Sequence, residues 1–211
     1  MKQLFLGVSD EALFSLFRAS YPADKAKTIA DTLLTRYGSL SSILKISHTL
    51  LEEDIGKEAA LYLRLSLSLY IRSVTDRFKI GDTVTESVLA RHFSALYADA
   101  SEETVYAVLV DKENRLLSVC RVAIGSADAS SLQPRQVLEL AVRTRADGVI
   151  LTHNHPGGTL TPSASDKKVT DAVAAALATA RIRFLGHYVF ADAEFVRIGE
   201  ENGAADAPHE F

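Results

Sequence analysis

One cysteine, one methionine and no tryptophan occur among the 211 residues. A single thiol, Cys120, excludes an internal disulfide framework and every zinc site built from several cysteines. It fits a reducing compartment, so the cytoplasm is the expected location. No stretch approaches the roughly 18 consecutive apolar residues that span a bilayer, and no membrane association is expected. The opening MKQLFLGVSDEALFSLF is interrupted by Asp10 and Glu11 and lacks a small-residue cleavage site, so it does not read as a signal peptide. An excess of positive charge is missing too. The formal net charge is -4, with eleven Lys/Arg against ten Asp/Glu up to Asp82 and twelve against seventeen beyond it. Neither half carries the basic footprint of a strong nucleic-acid binder. Internal repeats and low-complexity segments are also absent.

What is present is a hydrophobic content of 47% beside 24% charged residues, enough for a buried core. Over residues 1–80 the segments DEALFSLFRAS, DKAKTIADTLLTRYG, SLSSILKIS and KEAALYLRLSLSLYIRSVTDRF repeat apolar positions every three or four residues, which predicts helices. Gly38 stops one of them and Ser39 caps the next. KIGD at 79–82 is the expected linker. The following TESVLARHFSALYAD opens a new helix, with Thr83 and Glu86 at capping-box spacing. Beyond Asp99 the period changes. TVYAVLVD and NRLLSVCRVAIG read as a hairpin turning at 111–114. PRQVLELAVRTRA is a helix with Pro134 in its first turn. GVILTH is a buried strand, 163–180 an alanine-rich helix, and RIRFLGHYVFA and EFVRI two more strands. Strands and helices mixed in this way over 83–200 indicate a domain of α/β (α+β) class behind a small helical domain. The polar tail at 201–211 is expected to fray.

The chemistry concentrates in THNHPGGTLTPSASD, Thr152 to Asp166, directly after the apolar strand. In an extended chain, side chains two apart share a face, so His153 and His155 project together while Asn154 points away. Pro156 favours extended backbone at His155. Gly157 and Gly158 allow a sharp turn, and Pro162 with Ser163 opens a helix whose first turn holds Asp166. Two imidazoles and a carboxylate suit a zinc ion that keeps a fourth position open, the catalytic rather than the structural arrangement. Ser163-x-x-Asp166 is equally a helix-capping signature, and both roles can hold at once.

This stretch resembles the JAMM motif of the JAB/MPN metalloproteases: His-x-His, ten residues, then Asp, with a Ser-x-x-Asp ending. More narrowly it is similar to the bacterial RadC-like proteins. The likeness runs upstream through NRLLS and PRQV, downstream to the strand containing His187, and into the helical front at RYGSLSSIL. It implies a JAMM/MPN-type sheet of cytidine-deaminase-like architecture, with His153, His155 and Asp166 holding Zn2+. It further implies a general-base glutamate at the start of the first hairpin strand. Registering on the turn at Asp111 and Arg115 selects Glu103 over Glu102. Ser163 is implied as the donor to a developing oxyanion. His187 and Asn154 are candidates for a place beside the ligands or facing substrate, His187 being equally a simple strand residue. The implied reaction is hydrolysis of a peptide, isopeptide or other amide, the substrate being a peptide, a protein conjugate or a small amide.

Several positions depart from the family pattern. Cys120 stands where a second glutamate is common, Gly157 replaces a serine, and Gly186 replaces an aspartate before His187. In the helical front, the turn Asp54-Ile55-Gly56 lacks the first glycine of a phosphate-binding helix-hairpin-helix. It also adds Glu52, Glu53 and Asp54 where phosphate would approach, so it reads as a degenerate packing module, with a working DNA clamp and a weak DNA contact through it as the alternative. The second reading of the chain is a non-catalytic metal-binding accessory of DNA repair or processing, the field with which RadC-like proteins are historically linked. Glu103 separates the two readings, since a structural zinc does not need it. Zinc deamination of a nucleobase, which needs His-x-Glu and a later Cys pair, is excluded by the single cysteine. His48, His92 and His209 carry no constellation.

Overall fold

The computed structural model describes residues 9–125, 132–192 and 194–199; the expected tail at 201–211 lies outside them. The chain divides into two compact units, Met1–Ser73 and Val74–Phe211. The first contains α1 (Ser9–Arg18), α2 (Ala23–Tyr37), α3 (Leu40–Leu44), α4 (His48–Ile55) and most of α5 (Lys57–Thr75). The apolar stripes converge on a core that includes Leu13, Phe17, Leu33, Ile43, Leu51 and Leu63. Gly38, at φ 78°, closes α2, and Ser39 accepts from the Ser42 N–H to start α3. Periodicity does not separate α4: at eight residues it offers barely two turns, and its start is set by Ser47, which accepts from Leu50 N–H. The turn to α5 passes through Gly56 at φ 82°. Asp54 at this turn is not presented outward. It accepts hydrogen bonds from Arg36 and from the Tyr37 hydroxyl, which accounts for its burial.

In the second unit the residues expected to form the linker are bound into structure. Gly81 N–H donates to Leu116 O, and Leu116 N–H donates to Asp82 O, each at 2.8 Å. The helix α6 (Glu86–Leu96) is capped by Thr85, which accepts from Val88 N–H, and not by Thr83. Thr83 is drawn instead into a bridge with Arg115, so its side chain starts no helix.

A five-stranded sheet follows, in the order β2-β1-β3-β4-β5. Its strands are β1 (Thr104–Val110), β2 (Leu116–Ile124), β3 (Gly148–Asn154), β4 (Arg183–Ala191) and β5 (Glu194–Arg197). Only β3 and β4 are parallel, joined through the helix α8 (Ala164–Thr179); α7 (Pro134–Thr144) precedes β3. Every residue of the central β3 is buried, as a strand covered on both faces requires. Ala107, Leu109, Val149 and Leu151 meet α7 and α8 on one face. Val108, Val110, Ile150, Tyr188 and Phe190 meet α6 on the other. At the hairpin end, Arg183 reaches back to Asp111 O at 3.0 Å and Asn114 Oδ1 at 2.9 Å. No described helix is long and apolar enough to cross a membrane.

Candidate metal centre

Strand alternation decides which side chains of the motif meet. His153 has the parity of Val149 and Leu151 and points to the α7/α8 face. Past the end of β3 the pairing continues for one residue, His155 N–H donating to Phe190 O at 2.8 Å. The chain then turns through Gly158, at φ 79°, where an added Cβ would sit 2.7 Å from Asp192 Oδ2. Ser163 caps α8 in a full capping box: Asp166 N–H donates to Ser163 Oγ at 3.1 Å, and Ser163 N–H donates to Asp166 Oδ2 at 2.7 Å. The cap thus fixes one oxygen of Asp166 and aims the carboxylate at the two imidazoles.

Glu103, His153, His155 and Asp166 bring one ligand atom each within 4.8 Å of all the others. His153 Nε2 lies 3.0 Å from His155 Nε2 and 3.6 Å from Asp166 Oδ1, and His155 Nε2 lies 3.5 Å from Asp166 Oδ2. His155 Nδ1 is 2.7 Å from Thr159 O, an acceptor only, so Nδ1 carries the proton and Nε2 offers a lone pair. A cluster of lone pairs with two carboxylates can hold a cation. For a tetrahedral ion bound at roughly 2.0–2.2 Å the donors stand about 3.3 Å apart, within the range found here, and the nitrogen and oxygen set is one zinc accepts. The residues fit such an ion. His153 and Asp166 are 1% and 3% exposed, whereas His155 and Glu103 are only partly buried, so the cluster is closed on one side and open on the other.

Burial by itself would raise the Asp166 carboxyl. The pull of His153 and the hydrogen bonding with Ser163 override it and hold the group well below the usual carboxylate range. Burial pushes the His187 imidazole well below its ordinary value, so this ring is neutral at neutral pH. Asn154 points away from the donors, as its parity requires, and brackets Glu103. Its Oδ1 accepts from Thr104 N–H at 2.8 Å and its Nδ2 donates to Glu102 O at 3.1 Å. His187, paired with Leu151 across the sheet, comes to the donor face with Nε2 2.8 Å from His153 Nδ1.

Two residues beside the donors were not read from the motif: Thr159, which sets the His155 ring, and Thr170, whose hydroxyl is 2.7 Å from His187 Nδ1. Thr170 stands four residues after Asp166 on one helix face, a spacing that could have pointed to it. The departures from the family pattern divide. At Gly186, φ is 144°, a backbone region that L side chains rarely adopt, so an aspartate there would be strained. At Gly157 a Cβ would meet nothing within 4 Å, and nothing in the structure explains the glycine. Cys120 packs against the core of the α7/α8 face, with Sγ 3.2 Å from Ser118 Oγ.

Residues 84–203 match the family model described as the RadC-like JAB domain. Over 198 residues the chain is 31% identical to a UPF0758 protein of Aeromonas hydrophila, covering 92% of this chain and 88% of that protein. It is 32% identical over 197 residues to a UPF0758 protein of Aeromonas salmonicida, and 30% identical over 197 residues to one of Vibrio cholerae, with the same coverage in both cases.

Proposed function

The chain belongs to the RadC-like JAB domain family, and from that premise we propose that it is a zinc-dependent hydrolase of JAMM type that cleaves a peptide, isopeptide or related amide bond. The observation that carries the reading is the convergence of two imidazoles and two carboxylates on one half-open point. His153, His155 and Asp166 would hold the ion, and Glu103 would stay off it. A bound zinc supplies Lewis acidity, lowering the pKa of water and polarising a carbonyl. Glu103 accepts a proton from the attacking water, whose oxygen bonds to the carbonyl carbon. The same carboxyl then delivers the proton to the amine nitrogen as the C–N bond breaks. Ser163 Oγ is already occupied as an acceptor of Asp166 N–H, which leaves its hydroxyl hydrogen to donate to the carbonyl oxygen as charge builds there. The substrate classes are a peptide, a protein conjugate or a small amide, in a reducing cytoplasm where Cys120 stays a free thiol.

A second reading, a metal-binding accessory of DNA repair or processing, would keep the donors but has no use for Glu103. The engagement of Asp54 with Arg36 and Tyr37 favours a packing role for the helical unit and leaves DNA at most a weak contact. Metal analysis of protein purified without chelator, beside His153→Ala, tests the first element: zinc near one equivalent in the parent and loss in the variant are expected. Cleavage of a peptide and isopeptide library by the zinc-loaded protein tests the second. An unchanged rate in Glu103→Gln would remove that residue from the mechanism, and a metal-free preparation would sink the reading.

A further inference from the structure

His187 and Thr170 take no part in the reaction proposed above, yet they join two of its donors. His187 is 2% exposed and lies on β4 beside Leu151; Thr170 lies one helical turn after Asp166 on α8. Three short contacts run in series. His153 Nδ1 is 2.8 Å from His187 Nε2, His187 Nδ1 is 2.7 Å from Thr170 Oγ1, and Thr170 Oγ1 is 2.6 Å from Asp166 O.

We propose that His187 and Thr170 are positioning residues forming a one-way hydrogen-bond relay that keeps a proton on His153 Nδ1 and so leaves Nε2 to face the ion. The direction follows from the far end. The Asp166 carbonyl can only accept, so the single hydrogen of the Thr170 hydroxyl is committed to it. Thr170 Oγ1 must then accept from His187 Nδ1–H. With its one ring proton on Nδ1, His187 offers a lone pair at Nε2 and accepts from His153 Nδ1–H. His153 is left with its lone pair at Nε2, the atom 3.0 Å from His155 Nε2 and 3.6 Å from Asp166 Oδ1. No member of the chain can be reversed without leaving two donors or two acceptors facing each other in a buried place. His155 reaches the same tautomer separately, through Thr159 O.

The relay begins on one donor and ends on the backbone of another, linking β3, β4 and α8. A ring whose second nitrogen is held in this way is oriented and made more basic as a ligand, an effect worth 10–100-fold in metal affinity. That use of the relay rests on the metal reading above. The relay itself does not: in the metal-free protein a proton between the facing Nε2 atoms of His153 and His155, 3.0 Å apart, stands in for the ion and leaves the His153 Nδ1–H in place, so the test starts there.

In histidine-labelled, chelator-treated protein at about pH 8, two-bond 1H–15N correlation should show His153 and His187 both protonated at Nδ1, with His187 bare at Nε2. Thr170→Val removes the hydroxyl while keeping the shape, and the His153 signals should shift towards the other tautomer. Thr170→Ser should restore them. Zinc affinity, measured by competition with a chelator dye, should fall 10–100-fold in Thr170→Val and recover in Thr170→Ser. A parent His153 bare at Nδ1, or a Thr170→Val variant with unaltered His153 and His187 signals, overturns the relay. Correct signals in a protein that binds no zinc would uphold the relay and refute the metal reading alone.

Discussion

His92 lies inside the α6 core, edge-on to Phe78 at 4.8 Å and Phe93 at 4.9 Å, with its Nδ1 buried and unpaired among the described residues. Burial lowers this imidazole from 6.5 to about 4. The unfolded chain therefore takes up the proton near pH 6.5 and the folded chain only near pH 4. Stability is complete above pH 6.5 and is lost as pH falls through that window, because the unfolded state binds more protons there. Integrating the linkage between pH 7 and pH 5 gives a loss of about 2 kcal/mol, a sizeable part of the roughly 5–15 kcal/mol that holds a domain folded. The assay is urea unfolding of the parent and His92→Leu at both pH values. His187 is depressed in the same direction, so the quantity to read is the difference between the two proteins and not either slope alone. The variant should lose about 2 kcal/mol less than the parent over this interval. At pH 7 it should be no less stable, since a buried unpaired nitrogen has been removed. Parallel pH profiles in the two proteins would refute the placement of His92.

Zinc at about 100 times its dissociation constant should stabilise the parent by about 2.7 kcal/mol, visible as a raised melting temperature in scanning fluorimetry; His155→Ala should show no rise. Asn154→Ala should keep its zinc but lose about 10²-fold in hydrolytic rate, because the backbone on both sides of Glu103 is released; metal stoichiometry and kcat measured on the same sample separate the two. Asp54→Ala should cost about 1–3 kcal/mol on urea unfolding, since Arg36 and Tyr37 both lose a charged acceptor.

The sheet and its order of elements were legible because the period of the apolar residues changes at Asp99 and the turn residues fall where strands end. Boundaries were less so. Thr83 and Thr85 both precede the same helix, and only the bridge to Arg115 decides which of them is free to cap. His153, His155 and Asp166 could be read together because strand parity and a helix cap are local rules. Glu103 was reached through resemblance. Its parity with Val105 and Ala107 agrees with the donor face, while Glu102 turns its carbonyl to Asn154. Thr170 was not read because its partner His187 is seventeen residues away on a parallel strand, and no local period links the two.

The grip of Arg183 on residues 111–114 has a consequence at the other end of β1. Glu103 stands just ahead of that strand, so its placement is only as good as the register of β1 against β3. Asn154 fastens one end and Arg183 the other, about 20 Å away at strand rise, and a strand tied at both ends cannot slide. A slip of one residue would exchange the faces and send the Glu103 carboxylate towards α6. Changes in the hairpin turn, or at Arg183, therefore act on the donors without touching any of them. Such positions would register as losses of function in a protein that still folds.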